Sequence, residues 1–234
     1  GMKVYVLEGG YKTFRHWVLN EYEKPLELLV LGGKTGSGKT DILHEMKKLG
    51  EQVIDLEALA HHRGSAFGAI GQPEQPTTEQ FENLLALELL QVDRTKTLWL
   101  ENESSKIGTV KIPDGIYFKM RSSNVIEMEI PLEKRVENII RDYAAFPQEK
   151  LAEATKRIEK KLGNLRMNEA LNYLNEKDFS NWIKILLEYY DKTYLFSTLQ
   201  RSPGTILTVS IEQGNHSDIA RIVIDFAKQN INEH

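Results

Sequence analysis

Two patterns of hydrophobic and polar positions alternate along most of the chain. Short continuous apolar runs predict strands at residues 3–6, 26–31, 52–56, 97–100, 125–130 and 205–211. Between these runs, apolar residues recur at helical spacing, which predicts helices near residues 14–22, 42–49, 77–89 and 132–143 and from about residue 217. Strands that alternate with helices predict an α/β fold, a three-layer sandwich with a mainly parallel sheet.

Residues 146–200 interrupt this alternation. They lack strand patterning and predict a helical insertion of two helices before the last strand, the first rich in Lys and the second carrying Trp182, Leu186 and Leu187. We therefore divide the chain into a short N-terminal segment, an α/β core, a helical segment, and a final strand and helix that return to the core. The corresponding ranges are 1–24, 25–145, 146–200 and 201–234.

Composition narrows the class of protein. The chain has 234 residues, of which 41% are hydrophobic and 27% charged, as in ordinary globular proteins. No apolar run is long enough to span a bilayer and no secretory signal pattern opens the chain, so we expect a cytoplasmic protein without a membrane partner. The absence of cysteine excludes a disulfide, a zinc–thiolate site and a cysteine nucleophile within this sequence. Because the net charge is −4, contact with nucleic acid would require a local basic patch.

The strongest chemical signal is a glycine-rich turn that fits the pattern G-x-x-x-x-G-K-[ST]. Its glycines let backbone N–H groups turn around an anion, Lys39 adds a point charge, and the Thr40 hydroxyl can ligate Mg²⁺. A chance match is the alternative, but the turn lies between a buried strand and a helix, as the mechanism requires. It predicts a P-loop NTPase-like fold and phosphate binding by Gly33, Lys34, Thr35, Gly36, Ser37, Gly38, Lys39 and Thr40.

Acidic residues follow the predicted strand at 97–100. Glu101 comes directly after the apolar run, and Glu103 lies two residues further on. A P-loop usually works with an acidic residue at the end of a neighbouring strand that holds the metal. Glu101 is thus a candidate metal residue together with Thr40, with Glu103 second. The alternative is that both are solvated acids at a strand end.

The stretch from residue 55 to residue 72 follows the second core strand and contains glycines and paired histidines. We expect a loop at the carboxyl edge of the sheet, where ligands of open α/β sheets bind. Arg63 could contact phosphate, and His61 or His62 could exchange protons near neutral pH. A flexible loop with surface histidines is the alternative. The predicted catalytic residues are then Lys39, Glu101, Arg63 and His62.

Two features of the helical segment allow more than one interpretation. Cations at Lys156, Arg157, Lys160 and Lys161 indicate either a solvated helix face or a patch for a phosphate backbone. The aromatic stripe that ends this segment is most often core. Its last polar members could instead stack a base; they are Tyr190, Asp191 and Tyr194.

The motifs together point to a family. Six stretches resemble the P-loop half of bacterial and archaeal tRNA 2-selenouridine synthase: GGKTGSGKT, DLEALAHHRGSAFG, QFENLLALEL, ENESSKIGTVKIP, PLEKRVENIIRDY and WIKILLEYYDKTY. The similarity runs from about residue 25 to about residue 195. Residues 3–22 resemble the closing strand and helix of the rhodanese domain that precedes the P-loop half in this family.

The resemblance implies an enzyme that acts on tRNA. Members of the family replace the sulfur of the wobble 2-thiouridine with selenium from selenophosphate, through an S-geranylated intermediate made with geranyl diphosphate. Their rhodanese half carries an essential cysteine, and this chain has none. The resemblance thus implies that the selenophosphate step needs a rhodanese domain in cis or in trans. The P-loop itself would bind ATP, GTP or geranyl diphosphate with Mg²⁺.

Two other classes stay open at this point. A small-molecule or nucleoside kinase would present the same P-loop, with Arg135 and Arg141 as clamps on the transferred phosphoryl group. A nucleotide-gated tRNA-binding module would bind nucleotide and reposition a partner without chemistry of its own.

Overall fold

A computed structural model describes residues 3–4, 6–201 and 205–231 of the chain. Seven strands lie in the described part: β1 (Leu28–Gly33), β2 (Gln52–Val53), β3 (Leu98–Glu101), β4 (Lys106–Ile107), β5 (Val110–Lys111), β6 (Asn124–Glu129) and β7 (Ile206–Ser210). Five of them form one sheet in the order β2-β3-β1-β6-β7, with every neighbouring pair parallel. Strands β4 and β5 form a separate antiparallel hairpin. The predicted α/β class with a parallel sheet is confirmed.

Eleven helices lie in the described residues. They are α1 (Gly10–Glu23), α2 (Lys39–Lys48), α3 (Leu56–Ala60), α4 (Thr78–Leu90), α5 (Asp114–Ser122), α6 (Leu132–Tyr143), α7 (Gln148–Lys156), α8 (Glu159–Leu162), α9 (Asn164–Asn175), α10 (Phe179–Leu199) and α11 (His216–Ile231). None of these is both long and apolar enough to cross a bilayer.

The sheet is covered on both faces because side chains alternate along each strand. On β1, Leu28 and Val30 pack into a core with helices α1, α3, α4 and α5. Leu29 and Leu31 point to the opposite face and pack with α2 and α11. All four are buried, as expected for a central parallel strand. This gives the three layers that the sequence predicts.

The helical segment has its own core, built from α6, α7, α9 and α10 with the stretch after α3. Trp182 is fully buried there and packs edge-on against Phe67. The prediction of two helices in this segment was wrong, because the structure has four. Gly163, with φ of 84°, separates α8 from α9, and Lys177, with φ of 60°, separates α9 from α10. These positive φ values end each helix within an otherwise helical pattern.

Three further elements differ from the sequence prediction. The expected loop at 55–72 begins with helix α3, because the Asp55 side chain accepts a hydrogen bond from the Ala58 N–H at 2.8 Å and caps it. The β4–β5 hairpin, which turns at Gly108, and helix α5 were not predicted. The strand predicted at 3–6 does not form at residues 3, 4 and 6, and residue 5 lies outside the described residues. Residues 202–204 and 232–234 of the predicted final segment also lie outside them.

Candidate functional site

The glycine-rich turn lies where the sequence places it, between the end of β1 and the start of α2. Gly36 and Gly38 have φ values of 83° and 77°, a backbone conformation that side chains disfavour. A Cβ at Gly36 would also lie 2.8 Å from the Arg135 carbonyl oxygen. Both observations favour glycine in this turn. The turn leads directly into the N-terminus of α2, whose free N–H groups and dipole favour an anion.

Helix α6 supports this turn from the side. The Arg135 guanidinium donates to the Thr35 carbonyl at 2.8 Å, and the Asn138 amide donates to the Gly36 carbonyl at 2.9 Å. Arg135 is buried and also donates to Asp191 of α10, at 3.0 Å for one of its two contacts. Arg135 thus links the turn to the helical segment. No local motif around residue 135 signals this role.

Lys39 lies at the carboxyl end of β1 and β3. Its Nζ is 2.9 Å from the Gly33 carbonyl oxygen and 3.4 Å from a Glu101 carboxylate oxygen. Burial by itself would lower the pKa of Lys39, but the carboxylates of Glu101, Glu103 and Glu57 raise it above its ordinary value. Lys39 is therefore a fixed positive charge at the bottom of the site.

Three carboxylates meet beside Lys39. Glu57, Glu101 and Glu103 each offer an oxygen, and the three oxygens lie within 4.8 Å of one another. The Thr40 hydroxyl is 2.9 Å from Glu101 and 3.2 Å from Glu57. Hard oxygen donors at this density, together with the P-loop hydroxyl, match what Mg²⁺ prefers. The structure thus brings together the two residues predicted to bind metal, Thr40 and Glu101.

The protonation of the two outer carboxylates reflects this crowding. Burial, with the neighbouring charges of Glu101 and Glu103, raises the pKa of Glu57 to about 10. Burial and the charge of Glu101 raise the pKa of Glu103 to about 8. A divalent cation would offset this repulsion and favour the ionised carboxylates, which also indicates a cation site.

Glu57 is the residue that sequence analysis missed. It lies in the first turn of α3, the helix that Asp55 caps. The available signal was Asp55 followed by Leu56 and Glu57, a cap and an acidic first turn, in a stretch whose glycines and histidines indicated a loop.

The two other residues predicted from this stretch, Arg63 and His62, differ in their exposure and in their contacts. Arg63 is exposed at the edge of the site, with its guanidinium 5.8 Å from the centre of the Tyr143 ring. His62 is buried and packs so closely that a Cβ at Gly68 would lie 2.6 Å from its ring. Its Nδ1 has no hydrogen-bond partner among the described residues, and burial lowers its pKa. The structure therefore does not bring His62 together with Lys39, and its catalytic role stays a prediction.

His61 also faces away from the chemistry. Its Nδ1 is 2.8 Å from the Glu74 carbonyl oxygen, and its backbone closes α3 in the left-handed conformation. His61 thus has a structural role at this helix end.

A cavity of about 870 Å³ opens beside the P-loop. One end is polar and is lined by the glycine-rich turn, Lys39, Thr40 and the three carboxylates. The helical segment and the stretch after α3 form another wall, in which apolar and aromatic residues lie among polar ones such as Gln72 and Arg157. The apolar and aromatic residues of this wall are Ala66, Phe67, Ile139, Tyr143, Ile158, Trp182, Ile183, Leu186, Leu187, Tyr189, Tyr190 and Tyr194.

Tyr194 joins the two ends of the cavity. Its hydroxyl accepts a hydrogen bond from the Gly33 N–H at 2.7 Å and donates one to the Glu127 carboxylate on β6. Burial raises the pKa of Tyr194, so the hydroxyl keeps its proton. Of the residues considered for base stacking, Tyr194 and Asp191 thus support the P-loop, and Tyr190 accepts from the Ala66 N–H at 3.3 Å.

Comparison with known proteins identifies the family. The model of the tRNA 2-selenouridine synthase AAA domain matches residues 26–229. A tRNA 2-selenouridine synthase of Sulfurovum sp. (strain NBC37-1) is 35% identical over 97% of this chain and 68% of its own length. That of Nitrosomonas europaea (strain ATCC 19718) is 34% identical over 84% of this chain and 63% of its own length. The chain thus spans about two thirds of the length of these curated relatives.

Solved structures show only a distant likeness. TT1252 from Thermus thermophilus is 15% identical with a TM-score of 0.43, over 88% of this chain and 99% of that one. No functional conclusion follows from a likeness at this level. The family model and the curated relatives confirm the resemblance that the sequence motifs indicate. The chain belongs to the family of the tRNA 2-selenouridine synthase AAA domain.

Proposed function

We propose that this chain is the phosphate-binding half of an enzyme that modifies the wobble 2-thiouridine of tRNA, with geranyl diphosphate as the ligand of the P-loop. The observation that carries the proposal is one cavity that is lined both by the glycine-rich turn and by apolar side chains. The names of the relatives supply the nucleic acid, since they describe synthases of tRNA 2-selenouridine.

The polar end suits a diphosphate with Mg²⁺. The amides of the glycine-rich turn, the N-terminus of α2 and the Lys39 ammonium converge on one volume. Thr40 and Glu101 would hold Mg²⁺, with Glu57 and Glu103 within reach. Bound there, the ion would neutralise the charge that develops on a departing diphosphate.

The apolar wall suits a prenyl chain. Leu186, Leu187 and Trp182 of α10 face the cavity together with Phe67. Each methylene that leaves water for such a wall contributes about 0.8 kcal/mol.

The transfer step balances as a substitution at carbon. The sulfur of 2-thiouridine attacks the first carbon of the geranyl group, the C–O bond to the diphosphate breaks, and the diphosphate leaves with the electron pair. The nucleoside releases its N3 proton, which restores a neutral S-geranylated base. Lys39 and the amides of the turn stabilise the leaving diphosphate, and this charge stabilisation is the part of catalysis that P-loop residues supply.

The exchange of sulfur for selenium would take place with the rhodanese half. It requires selenophosphate and a cysteine, and this chain has no cysteine. A rhodanese domain, in cis or in trans, would therefore complete the reaction.

The kinase alternative receives less support from the site. Arg135 is buried between Thr35 and Asp191, and Arg141 pairs with Asp41 at 2.9 Å. Both guanidinium groups that would clamp a phosphoryl group are thus engaged elsewhere. A nucleotide-gated module differs from our proposal in its ligand and is separated by the same experiment.

Calorimetry with geranyl diphosphate, inorganic diphosphate and ATP, each with Mg²⁺, tests the proposal. Lys39→Ala should lower the affinity for geranyl diphosphate by about 10- to 100-fold, which is the effect of losing a charged hydrogen bond. Lys47→Ala is the matched control, since Lys47 lies on the same helix as Lys39 but is exposed and does not line the cavity.

Ala66→Phe tests the apolar end, because this residue lines the cavity and is only half-buried. The added ring should lower the affinity for geranyl diphosphate and leave the affinity for inorganic diphosphate unchanged. The proposal fails if ATP binds tightly to the unaltered protein and geranyl diphosphate does not compete with it.

A further inference from the structure

The edge of the cavity carries positive charge that the proposed chemistry of the P-loop does not use. Arg63, Arg157 and Lys161 all line the cavity, and all three side chains are exposed. They come from three places: the stretch after α3, the residue that follows α7, and helix α8. We call these three residues the cationic rim.

Neutral groups rather than carboxylates hold the cationic rim. Arg157 donates to the Ala66 carbonyl at 3.4 Å, and Lys161 donates to the Tyr189 hydroxyl at 3.0 Å. Arg63 lies over the Tyr143 ring. Within the described ranges, none of the three forms an ion pair. Five arginines elsewhere each do, namely Arg15, Arg94, Arg135, Arg141 and Arg166.

This arrangement differs from the rest of the chain, whose net charge is −4. Attraction of a polyanion by the whole molecule is therefore excluded as the source of nucleic-acid binding, and only a local patch can supply it. The acidic cluster of Glu57, Glu101 and Glu103 lines the same cavity and comes close to Gly64, the residue that follows Arg63. The exposed cations of the rim are thus the groups at this cavity that an anionic chain can contact.

Aromatic faces accompany the rim cations. Tyr189 and Tyr190 lie with their ring centres 5.0 Å apart, and both line the cavity with Tyr143. The Lys161 ammonium is 5.5 Å from the centre of the Tyr189 ring. Cations that alternate with aromatic rings are typical of sites for unstacked nucleotides, because the rings stack on bases and the cations contact phosphates.

We infer that the cationic rim binds the phosphates that flank one unstacked nucleotide of a single-stranded RNA loop, so that the base of this nucleotide enters the cavity. A concave site cannot reach a base inside a duplex, whereas a loop can present a splayed base. The inference rests on the proposed function, since it assigns the direction from which the nucleoside meets the prenyl diphosphate. Of the four cations in the lysine-rich stretch, Arg157 and Lys161 thus receive a role in RNA binding. Lys156 and Lys160 do not line the cavity.

The test measures binding of a labelled RNA hairpin, with 2-thiouridine in its loop, by fluorescence anisotropy at several salt concentrations. The double variant Arg157→Ala/Lys161→Ala should bind the hairpin at least about tenfold more weakly, with a salt slope reduced by about 1.4 for two lost phosphate contacts. The matched control is Lys47→Ala/Arg221→Ala, which removes the same charge from exposed positions on α2 and α11, across the sheet. This control should leave the hairpin affinity within about twofold.

Two further measurements make the result specific. Arg157→Lys should keep most of the hairpin affinity of the unaltered protein, since a phosphate contact needs the charge rather than the guanidinium shape. A DNA duplex of equal length should compete less well than the hairpin. If the rim and control variants weaken the hairpin equally, or if the duplex competes as well as the hairpin, the inference is overturned.

Diphosphate binding by the same variants separates this inference from the proposed function. We expect the double rim variant to bind inorganic diphosphate as the unaltered protein does. A loss there would overturn the inference, because the rim would then belong to the diphosphate site. If no form of the protein binds geranyl diphosphate but the hairpin still depends on the rim, the proposed function fails and the RNA site stands.

Discussion

The two ends of the cavity are built in different ways. At the polar end, eight consecutive residues form the glycine-rich turn, and one strand end adds Glu101. At the apolar end, the wall combines residues that lie more than one hundred positions apart, such as Phe67 and Trp182. The polar end depends on backbone conformation, which a short motif specifies, whereas the apolar end depends on helix packing.

The two ends are nevertheless joined by specific contacts from α10. Asp191 pairs with Arg135, which contacts the Thr35 carbonyl, and Tyr194 accepts from the Gly33 N–H. The helical segment therefore does more than cover the site. It fixes both the start and the middle of the phosphate-binding turn, so changes in α10 should reach the polar end.

The largest expected effect comes from emptying the apolar end. Trp182→Ala removes a fully buried indole that also donates to Thr155 at 3.2 Å, and should lower the free energy of unfolding by about 3–5 kcal/mol. Denaturant unfolding measures this loss. Phe118→Ala is the control, since Phe118 is 67% exposed and its removal should change stability by less than about 0.5 kcal/mol. Equal losses in both variants would contradict a packed core in the helical segment.

A smaller effect should follow from breaking the ion pair that joins the two ends. Asp191→Asn leaves the buried Arg135 guanidinium without its carboxylate and should cost about 2 kcal/mol of stability. It should also weaken inorganic diphosphate, because the Thr35 carbonyl loses a fixed partner. Asp142→Asn removes an exposed pair with Arg141 and should cost at most about 0.5 kcal/mol. If diphosphate binding is unchanged in Asp191→Asn, the two ends are not coupled through Arg135.

Removing one hydroxyl should have a more modest effect. Tyr194→Phe leaves the Gly33 N–H without its acceptor and should cost about 1 kcal/mol of stability. Diphosphate affinity should fall with it, as measured by calorimetry. Tyr173→Phe on α9 is the matched control, since Tyr173 does not line the cavity. A larger loss in the control than in Tyr194→Phe would exclude a specific role for this contact.

The last expected effect is a pH dependence at the polar end, where burial and the charge of Glu101 act on Glu103. The pKa of this carboxyl rises from 4.5 to about 8 on folding. The folded state therefore binds more protons than the unfolded state between these values, and stability should fall as pH rises from about 4.5 to about 8. Glu103→Gln should reduce this slope, and Glu57, whose pKa is also raised, should supply what remains. Glu149→Gln at an exposed position should leave the slope unchanged.

Mg²⁺ should reverse part of this dependence. The ion requires ionised carboxylates, so its affinity should rise with pH through the same window. Unfolding measured with Mg²⁺ and with a chelator should differ most above pH 8. A difference that is the same at every pH would contradict metal binding by this cluster.

Much of the fold could be predicted because its signals are local. The apolar runs that became β1 and β3 are fully buried and fit central parallel strands, and the helix predicted from residue 77 begins where Thr77 caps α4 through the Gln80 N–H. The helical segment was harder, since its helix breaks depend on single residues. Gly163 and Lys177 both adopt positive φ, and a lysine rarely takes this conformation, so the break at Lys177 carries no clear signal in the sequence.

The site shows the same division. Lys39, Thr40 and Glu101 meet as the motif and the strand end predict. Glu57 was missed because α3 formed where glycines and histidines indicated a loop. His62 was expected at the site, but its ring is enclosed between Gly68 and Gly108, which no spacing in the sequence reveals.

The sequence by itself determined the parallel α/β core, the family and the glycine-rich turn that is predicted to bind phosphate. These follow from consecutive residues whose backbone and periodicity are fixed by short-range sterics and hydrogen bonds. Only the tertiary structure decided that Glu57 completes the acidic cluster, that α10 supports the phosphate-binding turn, and that Arg157 faces a cavity. These contacts join distant segments, and their geometry is set by how the helices pack rather than by any neighbour in the chain.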